Sequence, residues 1–158
     1  MSRLLLLLVL LVGLIGAVSV SADNLLNEPE GIAYDTVNHR YLVSNWRNGT
    51  VVAIDTNGVQ EYLRTGLGNC ASIHISGDTV FVPLDNEAVV GLDLETGVTV
   101  TYNNFPSAGG CHDVTVDTSG FMYATDWRFN RIFKVRLSDN TTSFLNITGP
   151  PLLSLIHI

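Results

Sequence analysis

The sequence predicts an all-β chain built from propeller blades, about three of them with four strands each, and three observations lead there. A pattern recurs at long range: Gly31 to Asp55 returns about 81 residues later as Cys111 to Leu137, with Val114 and Val116 answering Ile32 and Tyr34 and Trp127-Arg128 answering Trp46-Arg47. A third copy without the tryptophan lies between them, so the period is about 41 residues. Within each copy the apolar residues alternate over short runs bounded by Gly, Asn and Asp, which is strand periodicity and not the 3.6-residue helical period. Four short antiparallel strands repeated at a fixed period are the signature of propeller blades; a β-sandwich needs no such self-similarity.

Met1 to Ala22 reads as a signal peptide outside the fold, with Arg3 as the basic start, Leu4 to Ile15 as the apolar run and Val20-Ser21-Ala22 as a small-residue cleavage site. The run is short for a membrane-spanning helix, which favours cleavage after Ala22 over an anchor. Asp23 to Glu28 is a polar leader. Blade one, 29–69, is expected to hold strands at 31–34, 40–44, 50–54 and 60–64. Blade two, 70–110, reads as strands at 72–76, 79–82, 88–92 and 98–102. Blade three, 111–148, reads as strands at 113–116, 121–125, 131–137 and 141–145. Gly or Asn in the intervening turns supplies the permissive backbone such turns need. No helix is predicted. The closing hexapeptide Leu153-Ser-Leu-Ile-His-Ile158 has no place in the repeat and matches the translation of a transposon mosaic-end adapter, so the partial propeller is expected to run from 23 to about 152 and His157 is no site residue. Propellers close with roughly four to eight blades, so an arc of three leaves two blade faces uncovered.

The net charge is −7, and loss of Arg3 with the signal makes it about −8, which gives a phosphate backbone no attraction and excludes nucleic acid. No G-x-S-x-G, H-E-x-x-H, C-x-x-C or phosphate-loop motif is present. The signal implies a secreted, oxidising setting in which Cys70 and Cys111, just ahead of the opening strands of successive repeats, are expected to form a disulfide. Asn48, Asn140 and Asn146 begin N-x-S/T sequons at predicted loop or outer-strand positions, which marks them as glycosylation acceptors. His74 alternates with Ile73 and Ile75 and reads as a packed strand residue. Trp46 and Trp127, at equivalent places, read as blade packing, with Arg47 and Arg128 over the rings or paired with acids such as Asp126. His39 and Arg40 read as a solvent-facing turn.

Glu30-Gly31-Ile-Ala-Tyr34 with Tyr41-Leu-Val-Ser44, and His112-Asp113-Val-Thr-Val-Asp117 with Gly120-Phe-Met-Tyr123, resemble the regucalcin/gluconolactonase family of six-bladed propellers, which shades into NHL-repeat proteins. The resemblance covers about Pro29 to Asn146. It implies a divalent cation, often Ca²⁺, at one mouth of the central channel, with Glu30 matching the family's first ligand; hard oxygen donors suit that ion. The family's substrate-contacting R-x-N-D-G stretch falls on Gly110 to Val114, where only Asp113 is retained, so His112 and Asp113 are channel-mouth candidates and the family's substrate contacts do not carry over intact. Cys111 beside His112 does not make a nucleophilic dyad, because neighbours on a strand point to opposite faces.

Two functions follow as expectations, the first as the main reading and the second as its alternative. One is a secreted metal-dependent hydrolase of lactones or related esters, in which the cation polarises the carbonyl and a carboxylate moves the proton. The other is a non-catalytic NHL-type module that binds an extracellular protein or glycan. Propellers host many unrelated functions, so the fold does not choose between them.

Overall fold

The computed structural model describes residues 23–149; the predicted signal segment and the adapter-like tail lie outside the described residues. Twelve strands form three four-stranded antiparallel sheets, and no helix occurs among the described residues. Blade one contains β1 (Pro29–Asp35), β2 (Arg40–Asn45), β3 (Thr50–Ile54) and β4 (Gln60–Arg64). Blade two contains β5 (His74–Ser76), β6 (Thr79–Leu84), β7 (Ala88–Asp93) and β8 (Thr99–Asn104). Blade three contains β9 (Cys111–Val116), β10 (Phe121–Asp126), β11 (Arg131–Arg136) and β12 (Thr141–Asn146). Each sheet runs in chain order from an inner to an outer strand, and the inner strands β1, β5 and β9 abut in turn.

Residues opposite one another in an antiparallel pair share a face, so the register sorts each blade into two sides. In blade one, Ala33, Leu42 and Ala53 form one row and face blade two, where they meet Val80, Val82, Val90 and Leu92 in a buried core. In blade two the opposite side carries Phe81 and Val89, which meet Val114, Met122, Phe133 and Val135 of blade three in a second core. Phe105 and Phe133 stack there with ring centroids 4.4 Å apart. Each fully buried Val, Leu or Phe in these clefts contributes about 1.5–3 kcal/mol through removal of apolar surface from water.

The two outer sides of the arc are uncovered. On blade one Ile32, Tyr34, Tyr41 and Tyr62 are exposed, and the leader crosses part of this side, held by Leu25 N donating to Gln60 Oε1 at 2.7 Å and Asn27 N to Asn45 Oδ1 at 3.0 Å. A hollow of about 330 Å³ remains beside it, lined by Leu26, Glu30, Ile32, Val43 and Ile54. On blade three β12 is exposed along its whole length.

The cysteines depart from expectation. Cys70 and Cys111 are free, buried thiols. Their equivalence in the repeat is what separates them: Cys70 lies in the core between blades one and two, Cys111 in the core between blades two and three. Burial pushes both thiols up to about 12, so neither is a ready nucleophile. Arg40 also departs from expectation. It is largely buried, with Nε on Asp35 at 3.0 Å and a second nitrogen donating to the Leu94 carbonyl of blade two at 2.7 Å, while His39 stays exposed.

Candidate functional site

The starts of the inner strands, the β2–β3, β6–β7 and β10–β11 turns and the connectors between blades share one side of the arc, here termed the mouth. The inner strands are laced together there. Gly31 permits the first contact: a Cβ at this position would lie 2.8 Å from Ile73 N and from Ser72 Cα. Ser44 Oγ donates to the Ala71 carbonyl, joining blade one to blade two. Ser72 N donates to the His112 carbonyl at 3.0 Å, and Ser72 Oγ accepts from Val114 N at 3.1 Å, joining blade two to blade three. Ser72 had no motif to mark it, and the strand read as beginning there begins at His74, because the Ser72 backbone serves the next blade.

Of the sequence-predicted residues, His112 and Asp113 lie at this seam. The His112 imidazole is half-buried and its ring centroid is 6.4 Å from that of Trp46, tilted by 40°, so blades one and three meet over the mouth. Asp113 is buried; its N–H donates to Thr125 Oγ1 at 2.9 Å and its Oδ1 accepts from Val114 N at 2.9 Å. His74 pairs in register with Phe81, which belongs to the core between blades two and three, whereas Ile73 and Ile75 pack in the core between blades one and two. Burial lowers the His74 imidazole below its ordinary value, and the negative charge of Asp113 offsets part of that. Glu30 is elsewhere: it is exposed and lines the hollow on the uncovered side of blade one. Among the described residues no three or more His, Cys, Asp or Glu side chains gather where a metal ion could be held.

The tryptophans occupy turns and not blade cores, because both fall just after a strand ends. Trp46 N donates to the Glu28 carbonyl at 2.9 Å and Trp127 N to the Gly110 carbonyl at 3.3 Å, so the two turns are built alike. Their arginines find acids, but not Asp126. Arg47 pairs with Glu28 at 2.6 Å, and Arg128 reaches Asp85 of blade two at 3.5 Å while lying 4.9 Å over the Trp127 ring. Asp126 instead takes Arg131 at 2.6 Å. Gly110 sits under Asp85 Oδ1 and Trp127 Nε1, both buried without a hydrogen-bond partner; a Cβ there would lie 2.6 Å and 2.8 Å from them. Asp85 stands where the other two repeats have tryptophan, a substitution visible in the sequence once the turns are aligned.

The sequons lie at the surface. Asn48 is exposed and its Oδ1 accepts from Thr50 Oγ1 at 2.9 Å, Asn140 sits in the β11–β12 turn at φ 57°, and Asn146 ends the exposed β12.

No family profile and no curated protein matches the chain. Solved structures do. A streptogramin B lyase superposes with a TM-score of 0.66 at 16% identity, over 78% of this chain and 42% of that one. The chain is a three-bladed arc of a β-propeller. A chain of a nidogen/laminin complex superposes on the arc with a TM-score of 0.69 at 16% identity, over 84% of this chain and 52% of that one. A catalytically inactive virginiamycin B lyase from Staphylococcus aureus with quinupristin gives 0.68 at 15% identity, over 83% and 45%. The arc therefore spans about half the length of these propellers, and at such identity the likeness concerns the fold alone. Among the described residues no helix is long and apolar enough to cross a membrane.

Proposed function

We propose that the arc contributes the binding mouth of a secreted propeller, whose extracellular protein or glycan ligand rests over the Trp46–His112 pair. The observation that carries this reading is that pair itself. Two aromatic rings from blades one and three have centroids 6.4 Å apart, the His112 backbone is bonded to Ser72, and the Arg47–Glu28 ion pair stands beside the Trp46 turn. A half-buried indole and imidazole offer an apolar face with polar edges, the combination that sugar rings and planar side chains use. The nidogen chain of similar fold was solved in complex with laminin, which supports a protein ligand.

A second reading is favoured by Asp113, the one residue retained from the resembling family's substrate-contacting stretch: hydrolysis of a lactone or ester, with buried Asp113 near His74 moving the proton. Ca²⁺ takes six to eight oxygen ligands. Glu30 by itself does not fit that demand, so no step is assigned to the ion.

The test compares the secreted protein with its Trp46→Ala variant on printed glycans and laminin-coated plates, and assays δ-gluconolactone hydrolysis with and without Ca²⁺. Binding lost in Trp46→Ala, with no lactone turnover, is the expected result. Lactone turnover that survives Trp46→Ala and disappears in Asp113→Asn would replace the binding reading with the second.

A further inference from the structure

Trp46-Arg47-Asn48-Gly49-Thr50 places a half-buried indole two residues ahead of a sequon asparagine, within the single turn that joins β2 to β3. The turn is anchored from below. Buried Thr50 accepts Asn45 Nδ2 at 2.8 Å and donates its hydroxyl to Asn48 Oδ1 at 2.9 Å. Gly49, at φ 61°, offers its carbonyl to Leu67 N at 3.0 Å. The Asn48 amide is thus held by its oxygen, and among the described residues no hydrogen bond engages its Nδ2, on an exposed side chain. The equivalent turn of blade three is different. There Arg128 lies 4.9 Å over the Trp127 ring, and Phe129 stands in the place of Asn48. In blade one Glu28 draws Arg47 away at 2.6 Å, and among the described residues no cation lies over Trp46. The other sequons lack this combination. Asn140 follows Ser138 and Asp139, while Phe144, two residues ahead of Asn146, already meets Phe133 and the Arg131 guanidinium.

We infer that the protein carries an N-linked glycan on Asn48 whose first sugar packs against the Trp46 ring. Attachment joins Asn48 Nδ2 to the anomeric carbon of an oligosaccharide carried on a polyprenyl diphosphate. The bond from that carbon to the diphosphate oxygen breaks, the diphosphate leaves with the electron pair, and the amide gives up one proton. One face of a pyranose ring carries axial C–H groups, an apolar surface that suits the negative π face of an indole. Because Thr50 fixes the amide and Gly49 fixes the turn, the sugar starts from a set direction and little freedom is lost in making the contact. The inference rests on the secretion proposed above and not on the ligand of the mouth. It makes the protein's own sugar part of the surface that such a ligand meets.

Glycopeptide mass spectrometry of the full-length protein reads the first half of the inference, and sugar on Asn48 is the expected result. An unmodified Asn48 beside a modified Asn140 or Asn146 would overturn this inference alone. A chain retained in the cytosol with every sequon unmodified would overturn the secretion reading with it. Packing is read in the Asn140→Gln, Asn146→Gln protein, in which Asn48 alone bears sugar. Removing that sugar with peptide N-glycosidase, which turns the Asn48 amide into a carboxylate, should raise the unfolding constant at fixed urea about three- to tenfold, the size of one aromatic contact. With Trp46→Ala added, removal should leave the constant unchanged, and an equal rise with and without Trp46 would overturn the contact. NMR of the folded glycoprotein needs no Trp46 variant. Protons of the first sugar should be displaced upfield by the indole ring current, and protons at their free-glycopeptide positions would also overturn it.

Discussion

Asp126 and Arg131 provide a perturbation that the protein has already carried out on itself. Asp126 is fully buried at the end of β10; its Oδ2 takes Arg131 at 2.6 Å and its Oδ1 accepts Gly109 N at 3.0 Å, which fixes the connector entering blade three. Arg131 continues to the Ser107 carbonyl at 2.7 Å. Blade one has Asn45 and Thr50 at the paired positions, with Asn45 Nδ2 on Thr50 Oγ1 at 2.8 Å and Asn45 Oδ1 accepting Asn27 N at 3.0 Å. The same connector geometry is thus held once by a neutral pair and once by a charged one. Asp126→Asn keeps the acceptor for Gly109 but leaves a mostly buried guanidinium without its counter-ion, a change that costs about 3–5 kcal/mol. Adding Arg131→Thr installs the blade-one pair and removes the stranded charge, so the double variant should recover all but about 1–2 kcal/mol, the remainder reflecting the lost bond to Ser107 and the lost contacts of the guanidinium over the Phe129, Phe133 and Phe144 rings. Urea unfolding of the secreted protein, followed by tryptophan emission, measures both. A single variant within about 0.5 kcal/mol of wild type, or a double variant no more stable than Asp126→Asn, would refute the equivalence of the two connectors.

Other expectations are as specific. Gly110→Ala places a Cβ 2.6 Å from Asp85 Oδ1 and should lower stability by about 1–3 kcal/mol with a shift in Trp127 emission, whereas an unchanged melt would show that the two side chains move aside freely. Native Cys70 and Cys111, with thiols pushed up to about 12, should leave a thiol-reactive disulfide reagent unreacted at pH 8 until urea is added; a mass two hydrogens lighter under non-reducing conditions would instead reveal the bridge. Backbone N–H groups of Val59, Phe121 and Thr141 hold Asp55, Asp117 and Asp139 below the ordinary 3.8. Folded values below unfolded ones mean a contribution present above the ordinary value of 3.8 and lost as pH falls through the folded values, so the urea midpoint should fall as the pH is lowered below about 4, and a flat profile there would contradict the turn hydrogen bonds. Isolated Asp23 to Leu152, with both outer sides uncovered, should not melt as a cooperative monomer in calorimetry.

Strands were legible where turn residues bound an alternating run, as Asn48-Gly49 does before β3 and Asn57-Gly58 between β3 and β4. β3 and β4 begin and end where the periodicity placed them, at Thr50–Ile54 and Gln60–Arg64. Reading failed where residues leave the strands. Trp46 and Trp127 recur, and recurrence suggested cores, but turn residues have no alternation to say which way they face; the structure puts Trp46 against His112 at the mouth. Cys70 and Cys111 failed for a related reason. A repeat places equivalent residues in successive clefts, so like positions are separated by a whole blade. Asp113 and His112 were reached only through a resemblance, and their convergence with Ser72 and His74 depends on contacts between blades about 41 residues apart, which no local pattern encodes.

The most direct measurement is to amplify the 3′ end of the transcript and read the frame beyond Leu152. The account predicts further repeats of about 41 residues with short alternating strands. A frame that ends at Ile158 in genomic DNA, in a protein that also sediments as a monomer, would contradict it.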